Sequence, residues 1–213
     1  DPFLDRYRLT GAAAVFVSAW ARLRLGQDPV PPDPSLGHAA DYLRMIGGGT
    51  PADPLRCAAL DAYLVTVIDH GMNASTFAAR VVASTDSDVV SAVTAAVCAL
   101  KGPLHGGAPG PVLEMLRAIG TPENAEGWLR RELSRGGRIM GMGHRVYKVR
   151  DPRAAVLERQ VEILEAAGIA PDRLGLARAI ERVALALLRE HKPASDPREL
   201  QRAGGLYTAD DAN

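Results

Sequence analysis

Three of the five histidines in this 213-residue chain stand where helical-looking segments give way to glycine. His70 precedes Gly71-Met72-Asn73, His105 lies in Gly102-Pro103-Leu104-His105-Gly106-Gly107-Ala108, and His144 follows Gly141-Met142-Gly143. Glycines let backbone N–H groups and a ligand approach an imidazole closely, and an imidazole can donate a hydrogen bond or exchange a proton near neutral pH. The same positions also suit histidines that cap neighbouring helices, and residue type alone leaves both readings open. Separations of 35 and 39 positions are nothing like zinc-ligand spacings. No metal site is expected.

A cationic run, Arg145, Lys148, Arg150 and Arg153, follows the third histidine. It reads either as a solvated basic stretch or as half of an anion site. Arg153 favours the second reading. It falls in the first turn of a helix opening at Asp151-Pro152, where the helix dipole disfavours a cation unless an anion shares the free N–H groups. Gly141-Met142-Gly143 is not a dinucleotide fingerprint, because the third glycine and any βαβ frame are missing.

The elements that must hold these residues are helices. Phe16, Trp20 and Leu23 share one face, as do Leu60, Leu64 and Ile68, then Val89, Val93 and Val97. Leu157, Val161 and Leu164 form another stripe, and Leu176, Ile180, Val183 and Leu187 a longer one. The pattern predicts helices near 9–25, 37–46, 54–69, 73–83, 87–101, 111–119, 122–135, 152–167 and 172–191. Asp53-Pro54 and Asp151-Pro152 read as N-cap plus first helical residue, and Gly102, Gly120 and Gly168 fall where helices should end. Only Arg138–Lys148 has room for a short strand or hairpin. The expected class is all-α, and periodicity fades after Lys192.

Composition narrows the function classes. Lys+Arg and Asp+Glu balance at 25 each, and the pI is near 7.2. That leaves no basic stripe for nucleic acid. The longest nearly apolar run, Ala12–Ala21, is too short to span a bilayer. Two cysteines, Cys57 and Cys98, argue against a disulfide framework and for a reducing compartment, hence a cytoplasmic protein. The chain opens at Asp1 without a basic-then-apolar leader, and is expected to be a segment of something longer.

Taken together, Asp69-His70-Gly71-Met72-Asn73-Ala74-Ser75-Thr76-Phe77, Gly102–Ala108, and Gly141-Met142-Gly143-His144-Arg145-Val146-Tyr147 with Asp151-Pro152-Arg153 resemble the citrate synthase family, three motifs in the family's order. Pro31-Pro32-Asp33-Pro34-Ser35-Leu36 resembles the stretch ahead of the first motif, and the resemblance covers roughly residues 1–192. It implies an all-helical homodimer whose subunits have a large and a small domain with the active site between them. Residues 1–109 would be part of the large domain, 110–192 the small domain, and 193–213 a return segment or tail.

The implied reaction condenses acetyl-CoA with oxaloacetate to give citrate and CoA. Acetyl-CoA would be a co-substrate, with no tightly bound cofactor. By motif position His70, His144 and Arg153 would bind oxaloacetate, and His144 would also donate to its reacting carbonyl. His105 would donate to the thioester oxygen as the enol forms. Gly141, Met142, Gly143 and Lys148 would lie near CoA. Leu206-Tyr207-Thr208-Ala209-Asp210-Asp211 would be the counterpart of the family's base motif, making Asp211 the candidate base, although Ala209-Asp210 departs from that pattern. Two alternatives accompany this reading: a 2-methylcitrate synthase using propionyl-CoA, and a non-catalytic relative that binds CoA or a partner.

Overall fold

The computed structural model describes residues 2–69, 71–107, 109–142, 151–171 and 173–191. Their regular elements are all helical: α1 (Pro2–Leu23), α2 (His38–Ile46), α3 (Pro54–Thr66), α4 (Ala74–Ala83), α5 (Val89–Leu100), α6 (Pro109–Ile119), α7 (Ala125–Ser134), α8 (Pro152–Ala166) and α9 (Leu174–His191). A single 3₁₀ turn, Pro122–Asn124, leads into α7. The all-α expectation holds, and residues 138–142 carry no strand. The rest of the stretch considered for a hairpin, from 143 to 148, lies outside the described residues.

Three helix starts follow from one device. Asp53 Oδ1 accepts from the N–H groups of Leu55 (2.8 Å) and Arg56 (3.4 Å), Asn73 Oδ1 from Thr76 N–H (2.9 Å), and Asp151 Oδ1 from Arg153 N–H (2.9 Å). Each satisfies N–H groups that a helix start leaves without an intrahelical acceptor. Two of the boundaries that differ from the periodicity have a local cause. α1 begins at Pro2, ahead of its apolar stripe, with Asp5 in the first turn where the dipole favours an anion. α3 stops at Thr66, short of Asp69, whose Oδ1 accepts Gly71 N–H at 3.0 Å and draws the chain into a turn.

The chain divides into two units between Leu100 and Lys101. In the first, α1 packs on α2 and α4 pairs with α5. Ser18 of α1 is buried and donates to Val15 O (3.0 Å) and to the sulfur of Met45 in α2 (3.6 Å). The proline-rich loop ahead of α2 is tied to it. Asp41 accepts from Asp33 N–H at 3.1 Å, and Arg44 links Asp41 (2.7 Å) to Pro31 O (2.6 Å).

The second unit has the denser core. Met115 and Ile119 of α6, Ala125 and Leu129 of α7, Ile139, and Leu176, Ile180, Ala184 and Leu187 of α9 form one buried cluster. Burying a Leu or Ile fully is worth about 1.5–3 kcal/mol, so the α9 stripe read from sequence is the main support of this unit. α8 packs against α9, and Glu165 of α8 accepts from Arg173 N–H (2.8 Å) and Leu174 N–H (3.0 Å), capping the start of α9.

Candidate active site

His105 sits in a tight turn ahead of α6. The carbonyl of Gly102 accepts from both His105 N–H (3.0 Å) and Gly107 N–H (3.1 Å), folding the backbone back on itself. The fold-back crowds position 107. A Cβ there would stand 3.0 Å from Gly102 O and 3.1 Å from Pro103 Cα, backbone atoms that cannot swing aside. The imidazole is half-buried while its neighbour Leu104 is exposed. Such a turn can present a hydrogen-bond donor from a fixed backbone.

The Gly141-Met142 segment is anchored on the same unit. Gly141 has φ +82°, and a Cβ there would also meet Val112 Cγ2 of α6 at 3.2 Å. The φ favours glycine, and a Cβ would in addition crowd Val112. Ile139 is part of the core cluster, and the Met142 side chain packs against it. Met142 thus fastens the segment to that cluster, a packing role that sequence spacing does not disclose. Gly143, His144 and Lys148 lie outside the described residues.

Arg153 occupies the first turn of α8, and the structure shows what its charge faces. Arg153 Nε donates to Asp151 Oδ1 (2.9 Å) and Oδ2 (3.1 Å), and Nη2 donates to Oδ2 (2.6 Å). The cation that the dipole disfavours is therefore offset by the helix's own cap residue. The sequence reading identified Asp151 as a cap but missed it as an ion partner. The available signal was an acid and a base two positions apart across a helix-opening proline.

In the first unit, His70 lies outside the described residues, but its flanks are ordered by side chains of the same motif. Asp69 bonds to Gly71 N–H as above, and Asn73, the cap of α4, also accepts from Ser75 Oγ at 2.6 Å. Asp211 lies outside the described residues. His105, Gly141, Met142 and Arg153 all belong to the second unit. Among the described residues, no group of three or more His, Cys, Asp or Glu side chains could hold a metal ion, and no helix is long and apolar enough to cross a membrane.

A family model described as "Citrate synthase, C-terminal domain" matches residues 3–202. The chain belongs to the citrate synthase family. It is 47% identical over 163 residues to a citrate synthase of Haloferax volcanii, covering 76% of this chain and 43% of that protein. It is 44% identical over 155 residues to a 2-methylcitrate synthase of Mycobacterium tuberculosis, covering 73% and 39%. Among solved structures, a ternary complex of citrate synthase from Thermoplasma acidophilum with carboxymethyl coenzyme A and oxaloacetate matches with a TM-score of 0.76 and 32% identity, covering 84% of this chain and 47% of that one. The chain spans less than half the length of these relatives.

Proposed function

We propose that this chain is the part of a citrate-forming acyltransferase that carries its histidine motifs, acting on oxaloacetate and acetyl-CoA. The observation that carries the reading is the tight Gly102–Gly107 turn, folded back on the Gly102 carbonyl around His105, in a chain of this family. Oxaloacetate is a dianion, and Arg153 supplies a charge-assisted bond to one carboxylate, with His70 and His144 as further contacts. Asp211 removes a methyl proton from acetyl-CoA while His105 donates to the thioester oxygen on which charge develops. The resulting enol carbon attacks the ketone carbon of oxaloacetate, and its oxygen takes a proton at His144. Water then cleaves the citryl thioester, releasing citrate and CoA. Gly141–Gly143 and Lys148 lie along the CoA. No cofactor beyond this co-substrate is required.

Residues 1–109 are assigned to a large domain, 110–192 to a small one, and 193–213 to a return segment or tail. The assembly is a homodimer in the cytoplasm. The exposed apolar face of α4 and α5, with Phe77, Val81, Val90, Val93 and Val97, supports the dimer.

The test is exchange of acetyl-CoA methyl protons with solvent deuterium. His105→Ala is expected to keep oxaloacetate affinity while slowing exchange and turnover by about 10²–10³, the worth of one oxyanion-type donor. Near-normal exchange in that variant would reject the role. A second reading, 2-methylcitrate synthesis, is favoured by the Mycobacterium relative of that name. One methylene is worth only about 1–3 kcal/mol of discrimination, so comparing turnover of propionyl-CoA with acetyl-CoA separates the two. Failure of both, with CoA still bound, would establish a non-catalytic relative.

A further inference from the structure

We infer that Arg178 of α9 is a positioning residue for α8, holding that helix by its acidic row so that Arg153 stands where a substrate carboxylate meets it. The inference rests on the reading of Arg153 as an oxaloacetate ligand and deepens it. α8 carries that arginine in its first turn but is not built into the core. Among the described residues it buries none of its side chains, and the apolar cluster of the second unit is drawn from α6, α7, Ile139 and α9 without it. Its stripe of Leu157, Val161 and Leu164 is only half-buried. Beside that stripe, one position on, Glu158, Glu162 and Glu165 form a second row at i, i+4 and i+7. All three face α9. Arg178 Nη2 donates to Glu162 Oε1 at 2.8 Å and stands 3.8 Å from Glu158 Oε2, while Glu165 accepts the N–H groups of Arg173 and Leu174. Arg178 springs from a fixed base, next to the buried Ala179 and Ile180.

Glu158 and Glu162 lie five and nine positions along α8 from Arg153, about 8 and 14 Å at the helical rise per residue. Over such a span the direct field of Arg178 is largely screened, since the Debye length at physiological salt is about 8 Å. Arg178 acts through the rigid helix instead. Arg178 is 50% and Glu162 39% exposed, so the pair adds little to global stability. What it sets is the fraction of molecules in which α8 is seated, and that fraction multiplies directly into the apparent affinity for a ligand of the seated form. The two routes by which a charge could act differ in sign. Through the field alone, Arg178→Gln weakens binding of a dianion and Glu162→Gln tightens it. Through the seating of α8, both weaken it.

The experiment is calorimetric titration of oxaloacetate into the native protein, Arg178→Gln, Arg178→Lys, Glu162→Gln, the double variant Arg178→Gln/Glu162→Gln and Arg153→Leu, with thermal midpoints measured in parallel. Glu162 also pairs with Arg159 of its own helix at 3.5 Å, so Arg159→Gln is included and is expected to bind as the native protein does. The expected result is about a threefold to fivefold loss of affinity in both Arg178→Gln and Glu162→Gln, the most an exposed pair can transmit. The double variant should lose no more than either single one, because both remove the same tie. Arg178→Lys keeps the charge and should recover most of the affinity, and all midpoints should stay near the native one. Unchanged affinity in Arg178→Gln, tighter binding in Glu162→Gln, or Arg178→Lys no better than Arg178→Gln overturns the proposal. So does a loss of affinity that tracks a collapse of the midpoint, since Arg178 would then be holding the fold. Arg153→Leu with unchanged affinity instead overturns the assignment of Arg153, which is a separate failure.

Discussion

A single aspartate shows how this chain couples local structure to charge. Asp88, just ahead of α5, accepts from Ser91 Oγ at 2.6 Å and from Ser91 N–H at 2.9 Å. The Ser91 hydroxyl first, and its N–H second, hold the Asp88 carboxyl below the usual aspartate range. Asp33 is lowered in the same way by Ser35. Because the folded pKa lies below the unfolded one, the contribution of Asp88 is complete above the ordinary aspartate pKa of about 3.9 and fades as the pH falls through the folded value. Asp88→Asn keeps an acceptor for the same N–H but has no proton to gain. Urea denaturation between about pH 6 and about pH 3 is therefore expected to show a shallower loss of stability in Asp88→Asn than in the native chain. Equal slopes would show that the charge of Asp88 contributes nothing to the cap.

Helix starts were legible because they are written within four residues. Asp53-Pro54 and Asp151-Pro152 each announced a cap, and the structure contains both. The 3₁₀ turn at Pro122–Asn124 was folded into one longer helix, since a short turn shares the apolar spacing of the helix it leads into. Contacts between elements were less legible. Nothing in the residues around 141 says that Val112, nearly thirty positions earlier, will lie against Gly141. The candidate site was legible through its glycines and histidines, whereas the Asp151–Arg153 pair depends on side-chain reach that periodicity does not encode. Gly141 gives this scale its prediction. Gly141→Ala meets two separate obstacles, a φ of +82° and the Val112 methyl at 3.2 Å. It is expected to cost about 1–3 kcal/mol of stability. The double variant Gly141→Ala/Val112→Ala should not restore the native thermal midpoint, because the backbone term persists. Full recovery beyond Val112→Ala alone would show that crowding was the whole effect.

At the scale of the molecule, the two units differ in how well they enclose their apolar residues. The second buries a continuous cluster, while the first leaves Phe77 62% and Val97 57% exposed on its α4–α5 pair. The proposed dimer, with a second copy covering that face, predicts that Val93→Glu/Val97→Glu yields a monomer in sedimentation velocity without unfolding the helices by circular dichroism. A dimer that survives the double change would place the interface elsewhere. The second unit carries a different kind of consequence. Its cluster joins α6 and α7 to residues 176–187 of α9, so four of its nine buried residues come from the last of its described helices. A ribosome adds about 5–20 residues per second. The apolar sides of Met115, Ile119 and Leu129 therefore wait several seconds after their own synthesis before Ile180 and Leu187 are made. During that interval the nascent polypeptide carries a half-built hydrophobic surface, an opening for chaperone capture that no acceleration of helix formation can close. The pace of translation through residues 135–187, rather than the intrinsic speed of folding, sets the length of that exposure.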